Sequence, residues 1–250
     1  MKTKILLLLF LCSAPLLAFQ DNCFTLFTPS SLSKGETEVN INHRFYGAID
    51  DDVWNSLFGI NGGANVGIGF RNNIMYRIEA KASYTRSKNR VELGASWRPT
   101  PASAPVAGQI DIAWFSFKQS GMDERGNNFL VLVSAQNNIW AERGILTLNA
   151  GYDLYYERFI SGVALHGKIT DSVALIGEYY PVWDRNSAPA EMQTHLGERD
   201  AYAFGIKLDT YGHHFMFSVS NATQNHPATM SLGTDDSGDL YFGFNIQRRF

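Results

Sequence analysis

Ser220 and His214 are the nearest approach in this sequence to a nucleophile and its base. A serine hydroxyl attacks only when a neighbouring base takes its proton within hydrogen-bond reach. On the run Phe215-Met-Phe-Ser-Val-Ser-Asn221, the same-face position just before Ser220 holds Ser218, which cannot serve as that base. His214 lies four residues before Ser218 on that face, roughly 13 Å along a strand and too far for direct transfer. His43 falls among apolar alternates, a place for an interfacial or bulged residue rather than a catalytic one. Carboxylates gather at Asp50-Asp51-Asp52 and at Thr234-Asp-Asp-Ser-Gly-Asp239, whose oxygens suit a hard divalent cation. Neither run has the spacing of a calcium loop, so both read as solvated tips. Without a phosphate loop, a zinc-binding His-Glu helix or a paired-cysteine site, no cofactor, metal or catalytic residue is assigned.

Charges spaced two apart offer different chemistry. Arg44, Arg77, Lys81, Arg90, Arg98, Lys207 and Arg249, with Glu79, Glu92, Asp111, Asp153 and Glu178, fall on the polar parity of alternating runs. Facing a confined interior, they line a narrow passage or else pair across strands and close it, because ions removed from water need partners. Glu92 is the natural partner for Arg77 or Lys81 from the next strand.

The elements that position these charges must be strands. From Glu38 onward apolar and polar residues alternate with period two, as in Ile78, Ala80, Ala82 and Tyr84 against Glu79, Lys81 and Ser83. Such runs recur near 38–46, 64–70, 74–84, 91–97, 109–118, 127–136, 145–155, 159–169, 173–180, 200–209, 213–220 and 239–250. The run at 109–118 is the weakest, because Phe115 and Phe117 fall on the polar parity. The polar parity is rich in Gly and Ala, which suits a crowded interior. Aromatic residues such as Tyr46, Phe70, Tyr84, Trp97, Trp140, Tyr155, Tyr156, Tyr179, Trp183 and Tyr211 gather at run ends. Connections alternate in length, the long ones near 47–63, 181–199 and 221–238, with tight turns expected at Arg71-Asn72-Asn73, Thr170-Asp171-Ser172 and Thr210-Tyr211-Gly212. Together these predict an all-β fold, a transmembrane antiparallel up-and-down β-barrel of about 12 strands.

Residues 1–18 have a basic start, an apolar run and a small residue at Ala18, and read as a cleaved secretory signal. Residues 19–37 are expected to form an irregular periplasmic arm, and 38–250 the barrel. Of the chain's 21 basic residues, Lys2 and Lys4 leave with the leader, so 19 face 24 acidic ones, a net charge of −5 that excludes a nucleic-acid partner. Cys12 leaves too, and Cys23 alone cannot form an internal disulfide.

Three motifs resemble known families. Phe215 to Asn221 is similar to the active strand of outer-membrane lipid A deacylases, which end a strand with His, any residue, Ser and Asn; here Ser218 replaces the histidine. The last segment puts Leu240, Phe242, Phe244, Ile246 and Phe250 on one face, and resembles the terminal signal read by the barrel-assembly machinery. More narrowly, Ser33-Lys-Gly-Glu36, Ile41-Asn-His-Arg-Phe45, Leu57-Phe-Gly-Ile-Asn-Gly-Gly-Ala-Asn65, Tyr211-Gly-His-His-Phe215 and Gly243-Phe-Asn-Ile-Gln-Arg-Arg-Phe250 resemble a Gram-negative outer-membrane β-barrel family of unknown function. That resemblance implies a barrel in the outer membrane, among lipid and lipopolysaccharide, and offers no catalytic residues to carry over. The expected function is a narrow passage for small solutes or an envelope binding and docking protein. A membrane-embedded lipid or lipopolysaccharide hydrolase and a purely structural, occluded barrel are the alternatives.

Overall fold

Period-two alternation can bury only one face of a sheet, and the sheet escapes its unpaired edges by closing on itself. The computed structural model describes residues 23–29, 32–49, 53–54, 63–101, 104–118, 124–140, 143–183, 196–235 and 238–250. Among them run twelve strands: β1 (Thr37–Ala48), β2 (Ala64–Met75), β3 (Ile78–Thr85), β4 (Arg90–Trp97), β5 (Val106–Phe117), β6 (Gly126–Ile139), β7 (Gly144–Asp153), β8 (Arg158–Lys168), β9 (Val173–Tyr180), β10 (Ala201–Thr210), β11 (His213–Ser220) and β12 (Tyr241–Arg249). Each pairs antiparallel with its sequence neighbours, and β12 returns to β1 to close the barrel. One short helix, α1 (Pro227–Met230), lies in the β11–β12 connection. No described helix is long and apolar enough to cross a membrane.

The faces are inverted relative to a water-soluble barrel. Ile41, Ile68, Phe70, Leu93, Ile112, Val131, Leu165 and Phe204 point outward and are exposed, while Arg44, Glu79, Asp111, Asp153, Glu178 and Lys207 are buried inside. So continuous an apolar exterior requires lipid as its solvent. Exposed aromatics border it at both ends, Tyr46, Tyr84, Tyr152, Tyr179 and Tyr202 toward the long connections and Tyr76, Trp97, Trp140, Tyr211 and Phe250 toward the tight turns. Tyr156 is not among them, because it turns inward and packs edge-on against Tyr155.

The first turn differs from the sequence expectation. Arg71, Asn72 and Asn73 continue β2 instead of breaking it, because Arg71 reaches Glu38 at 2.8 Å and Asn72 donates to Thr37 at 2.8 Å across the β1 ladder. The chain reverses at Tyr76-Arg77, where Arg77 takes a left-handed φ of 61°. Arg77 therefore leaves the proposed lumen set: its guanidinium lies 4.5 Å from the Tyr76 ring centre and donates to the Pro99 carbonyl at 3.1 Å. The weak run becomes β5 in full, and its two misplaced phenylalanines face inward, where they have partners described below. Leu240 precedes β12, and its carbonyl accepts from Ile49 at 2.7 Å.

Closure rests on the β1–β12 seam. Thr37 and the terminal Phe250 exchange backbone hydrogen bonds of 3.2 and 2.9 Å. Higher up, the Arg44 side chain lies across Gly243, its register partner, and a Cβ there would come within 2.5 Å of Arg44 Cδ and 2.8 Å of the His43 carbonyl. Gly243→Val should cost about 1–3 kcal/mol through overpacking at this seam. The check is a lowered urea midpoint for the detergent-folded barrel; an unchanged midpoint would show that Arg44 has another low-energy path.

Candidate functional site in the barrel lumen

Inside the wall lies a second layer of the same chain. Residues 23–29, expected as part of a periplasmic arm, run instead down the interior. Cys23 packs with Tyr180 and Ala201, at the long-connection ends of β9 and β10, and Leu32 is held by Asn73 near the tight-turn end of β2. An irregular segment without sheet neighbours leaves its N–H and C=O groups to be satisfied by side chains, since burying them unpaired costs a few kcal/mol each.

The wall supplies such partners to Phe24, Thr25, Phe27 and Thr28. The Glu178 carboxylate accepts from the backbone N–H of Phe24 and Thr25 and from the Thr25 hydroxyl. The Phe24 carbonyl accepts from Asn245 Nδ2 at 2.8 Å and from Arg44 Nη2 at 3.5 Å. An acid and a base thus hold opposite poles of one residue's peptide groups. Asn149 repeats the device without charge, accepting from Phe27 N at 2.9 Å and donating to Phe27 O at 2.7 Å. Below it Gln109 reaches the Thr28 carbonyl at 3.5 Å, and Asn73 the Leu32 carbonyl at 2.7 Å.

The β11–β12 connection folds in from the long-connection end. His226 caps α1 by accepting from Ala228 N at Nδ1, 3.2 Å away. Its ring sits edge-on between Phe27 of the arm and Phe115 of the wall, with centroids 5.2 and 5.1 Å apart. Ala228 joins a buried cluster with Phe115, Leu130, Leu132 and Ile160, and Met230 joins Cys23, Leu26 and Tyr180. Phe117 packs edge-on against Tyr155. Phe115 and Phe117 broke the sequence pattern because Phe115 faces these inserted elements and Phe117 packs on the β7–β8 turn.

Most of the remaining charges are tied within the wall. Glu38, which sequence reading passed over, lies between Arg71 at 2.8 Å and Arg249 at 3.2 Å, its register partners on either side. Lys81 pairs with Asp111, reaching across side-chain-free Gly94, so the expected Glu92 pairing does not form. Glu92 accepts instead from Ser83 at 3.1 Å and lies 3.6 Å from His226 Nε2. Arg90 bonds Thr85 at 3.3 Å and stands 5.4 Å from the Phe115 ring. Asp153 accepts from Asn128 and from the N–H groups of Tyr155 and Tyr156, ordering the β7–β8 turn. Lys207 meets Asp209 at 3.3 Å, and Asp209 also pairs with His214. Glu79 is buried on the inner face of β3, and Arg98 follows β4 at the tight-turn rim.

Ser218 and Ser220 also face the interior, each 2% exposed. The Ser220 hydroxyl donates to the Tyr202 carbonyl at 2.7 Å and accepts from Ala222 N at 3.1 Å, roles of a strand terminator with no imidazole among its partners. His43 faces outward and stacks on Phe244 with centroids 5.0 Å apart. Asp50-Asp51-Asp52 lies outside the described residues, as do Asp236 and Ser237. Among the described residues no group of His, Cys, Asp and Glu is placed to hold a metal ion.

His226 links this packing to pH. Burial, with Arg90 and Lys81 nearby, pushes its imidazole well below the ordinary value, about 6.5. Folded protein therefore resists a proton that the unfolded chain accepts, so stability is full above that value and declines as pH falls below it. His226→Asn keeps a side-chain cap without a titrating group. Urea midpoints of the wild type should fall faster than those of His226→Asn between neutral and mildly acid pH; parallel curves would remove His226 from the acid response.

Comparison with known proteins agrees with this architecture. No curated protein matches the chain. A solved structure of KdgM porin in complex with disordered oligogalacturonate aligns with 85% of this chain and 99% of its own, at 8% identity and a TM-score of 0.56. A second KdgM porin structure covers the same shares at 8% identity and 0.52. The outer membrane phospholipase A from Escherichia coli aligns more loosely, over 91% of this chain and 95% of its own, at 11% identity and a TM-score of 0.46. At these identities the likeness is one of fold. The motifs at Ser33–Glu36, Ile41–Phe45 and Leu57–Asn65 precede the part that a family profile recognises. Residues 152–250, from the end of β7 through β12, match the family described as membrane bound beta barrel domain (DUF5777), and the chain is accordingly a membrane β-barrel.

Proposed function

We propose that this chain is an outer-membrane barrel, delivered after its leader is removed, that passes small polar solutes through a lumen closed at rest by its own N-terminal segment. The observation that carries this reading is the clamp on residues 23–28. Side chains from β1, β5, β7, β9 and β12 hold a segment that belongs to no sheet. A barrel needing only a filled core would pack more simply with apolar side chains, because buried charges repay their desolvation poorly. Hydrogen bonds to a separate segment, in contrast, can be exchanged for hydrogen bonds to water or solute. The two porin structures of similar fold support the reading. Among the described residues no base stands beside Ser220, so the hydrolase gains nothing from the geometry.

In this reading the apolar belt meets outer-membrane lipid and lipopolysaccharide, and the face carrying Phe242, Phe244, Ile246 and Phe250 is what the barrel-assembly machinery recognises. Residues 23–29 deleted, or Glu178→Ala, should raise single-channel conductance several-fold over the wild type in planar bilayers. Heat-modifiable migration confirms that each variant is folded. Wild type and deletion both silent would favour the purely structural barrel, and recovery of the wild type as a soluble periplasmic protein would overturn the membrane location.

A further inference from the structure

Between the inner segment and the β12–β1–β2–β3 wall is a cavity of about 160 Å³, roofed by Asn225 and His226 of the β11–β12 connection. Its floor is one row across the sheet. Gln247 on β12 opposes Asn40 on β1, Asn40 opposes Gly69 on β2, Gly69 opposes Ser83 on β3, and Ser83 opposes Glu92 on β4. The space exists because Gly69 contributes no side chain to that row.

The polar groups of this row are unequally satisfied. The amide oxygens of Gln247 and Asn40 are buried and have no hydrogen-bond partner, although Gln247 is only 2% exposed. The charges around it balance in sign: Glu38 is held by two arginines and Lys81 by Asp111, while Arg90 and Glu92, which bond Thr85 and Ser83, are of opposite sign. Two orphaned amide oxygens beside a polar chamber call for a ligand that donates hydrogen bonds, and the charge balance calls for one without net charge. Amides both donate and accept, as hydroxyls do. A carboxylate or ammonium ligand, by contrast, would meet both signs of charge here, Arg90 and Glu92, and gain from only one.

We infer that this chamber is a binding site for a small neutral polyhydroxyl solute, of the size of a monosaccharide or cyclic polyol, held by Asn40 and Gln247 over the bare floor at Gly69. The inference deepens the passage reading by naming its solute class, yet binding can be measured without flux. Gly69→Val fills the floor; its Cβ would meet only Ser83 Cβ, at an ordinary 3.7 Å. Gln247→Leu removes one amide at similar volume, and carries the test should Gly69→Val fail to fold.

The experiment is isothermal titration of the whole barrel, in a sugar-free detergent, with D-glucose and with myo-inositol, and in parallel with D-galacturonate as an anion of equal size. We expect saturable binding of at least one neutral probe, weakened about tenfold or more in both variants, with galacturonate bound more weakly. Absence of binding by either neutral probe, equal binding in both variants, or preference for galacturonate would overturn the assignment. Flux of neutral solutes into liposomes without binding would refute this site while sparing the passage; binding without flux would do the reverse.

Discussion

Backbone groups removed from water must find partners, and the interior of this barrel is organised around that requirement. The wall satisfies its own by closing into a ladder that ends where Thr37 meets Phe250. The segment through the lumen has no ladder, so Glu178, Arg44, Asn245, Asn149, Gln109 and Asn73 take its place. Were those side chains apolar, the segment could not remain inside. Were the segment absent, Glu178 would lose its main partners and Arg44 the Phe24 carbonyl. Each layer thus accounts for the composition of the other.

That mutual dependence sets what the inserted β11–β12 connection can do. With the inner segment in place, His226 finds aromatic edges on both sides, and α1 finds apolar surface formed partly by Leu26 and Phe27. Wall, inner segment and connection therefore form one packed unit, with polar contacts concentrated on the backbone of residues 24–28 and apolar ones around α1. Water entering along the polar contacts would find partners immediately, whereas the apolar contacts would have to be lost outright. The polar side is the one equipped for exchange.

Strand positions were legible because one physical rule, apolar toward lipid and polar toward the interior, acts on every residue of the wall. All twelve alternating runs lie within a few residues of a strand, and the broken parity of the weak one at 109–118 is explained at Phe115 by its contact with His226. The rule failed at Arg71-Asn72-Asn73, where three polar residues imitate a turn but serve as rim and lumen ligands. It also misled at Arg77, whose parity was right and whose backbone lies in the true turn. The lumen charges were recognisable as a set, but their pairings were not. Lys81 reaches Asp111 over an intervening glycine, and Glu38 was overlooked although it joins two arginines. Least legible was the inner segment, because Cys23 to Pro29 has no periodicity; its partners are single side chains on five or more strands, a pattern visible only once the barrel is closed.

The position of that segment can be tested without reference to transport. In a Cys23→Ser background, cysteines at Phe27 and Asn149 place one thiol on the inner segment and one on β7, at residues joined by two hydrogen bonds. A cysteine at Phe27 with one at Tyr152, an outward residue of the same strand, serves as control. Mild oxidation of the folded, membrane-inserted protein should join the first pair and not the second, read as a shift in denatured gel mobility that a reductant reverses. Failure of the first pair to cross-link in a folded barrel, or equal cross-linking of both, would contradict a segment held inside the wall.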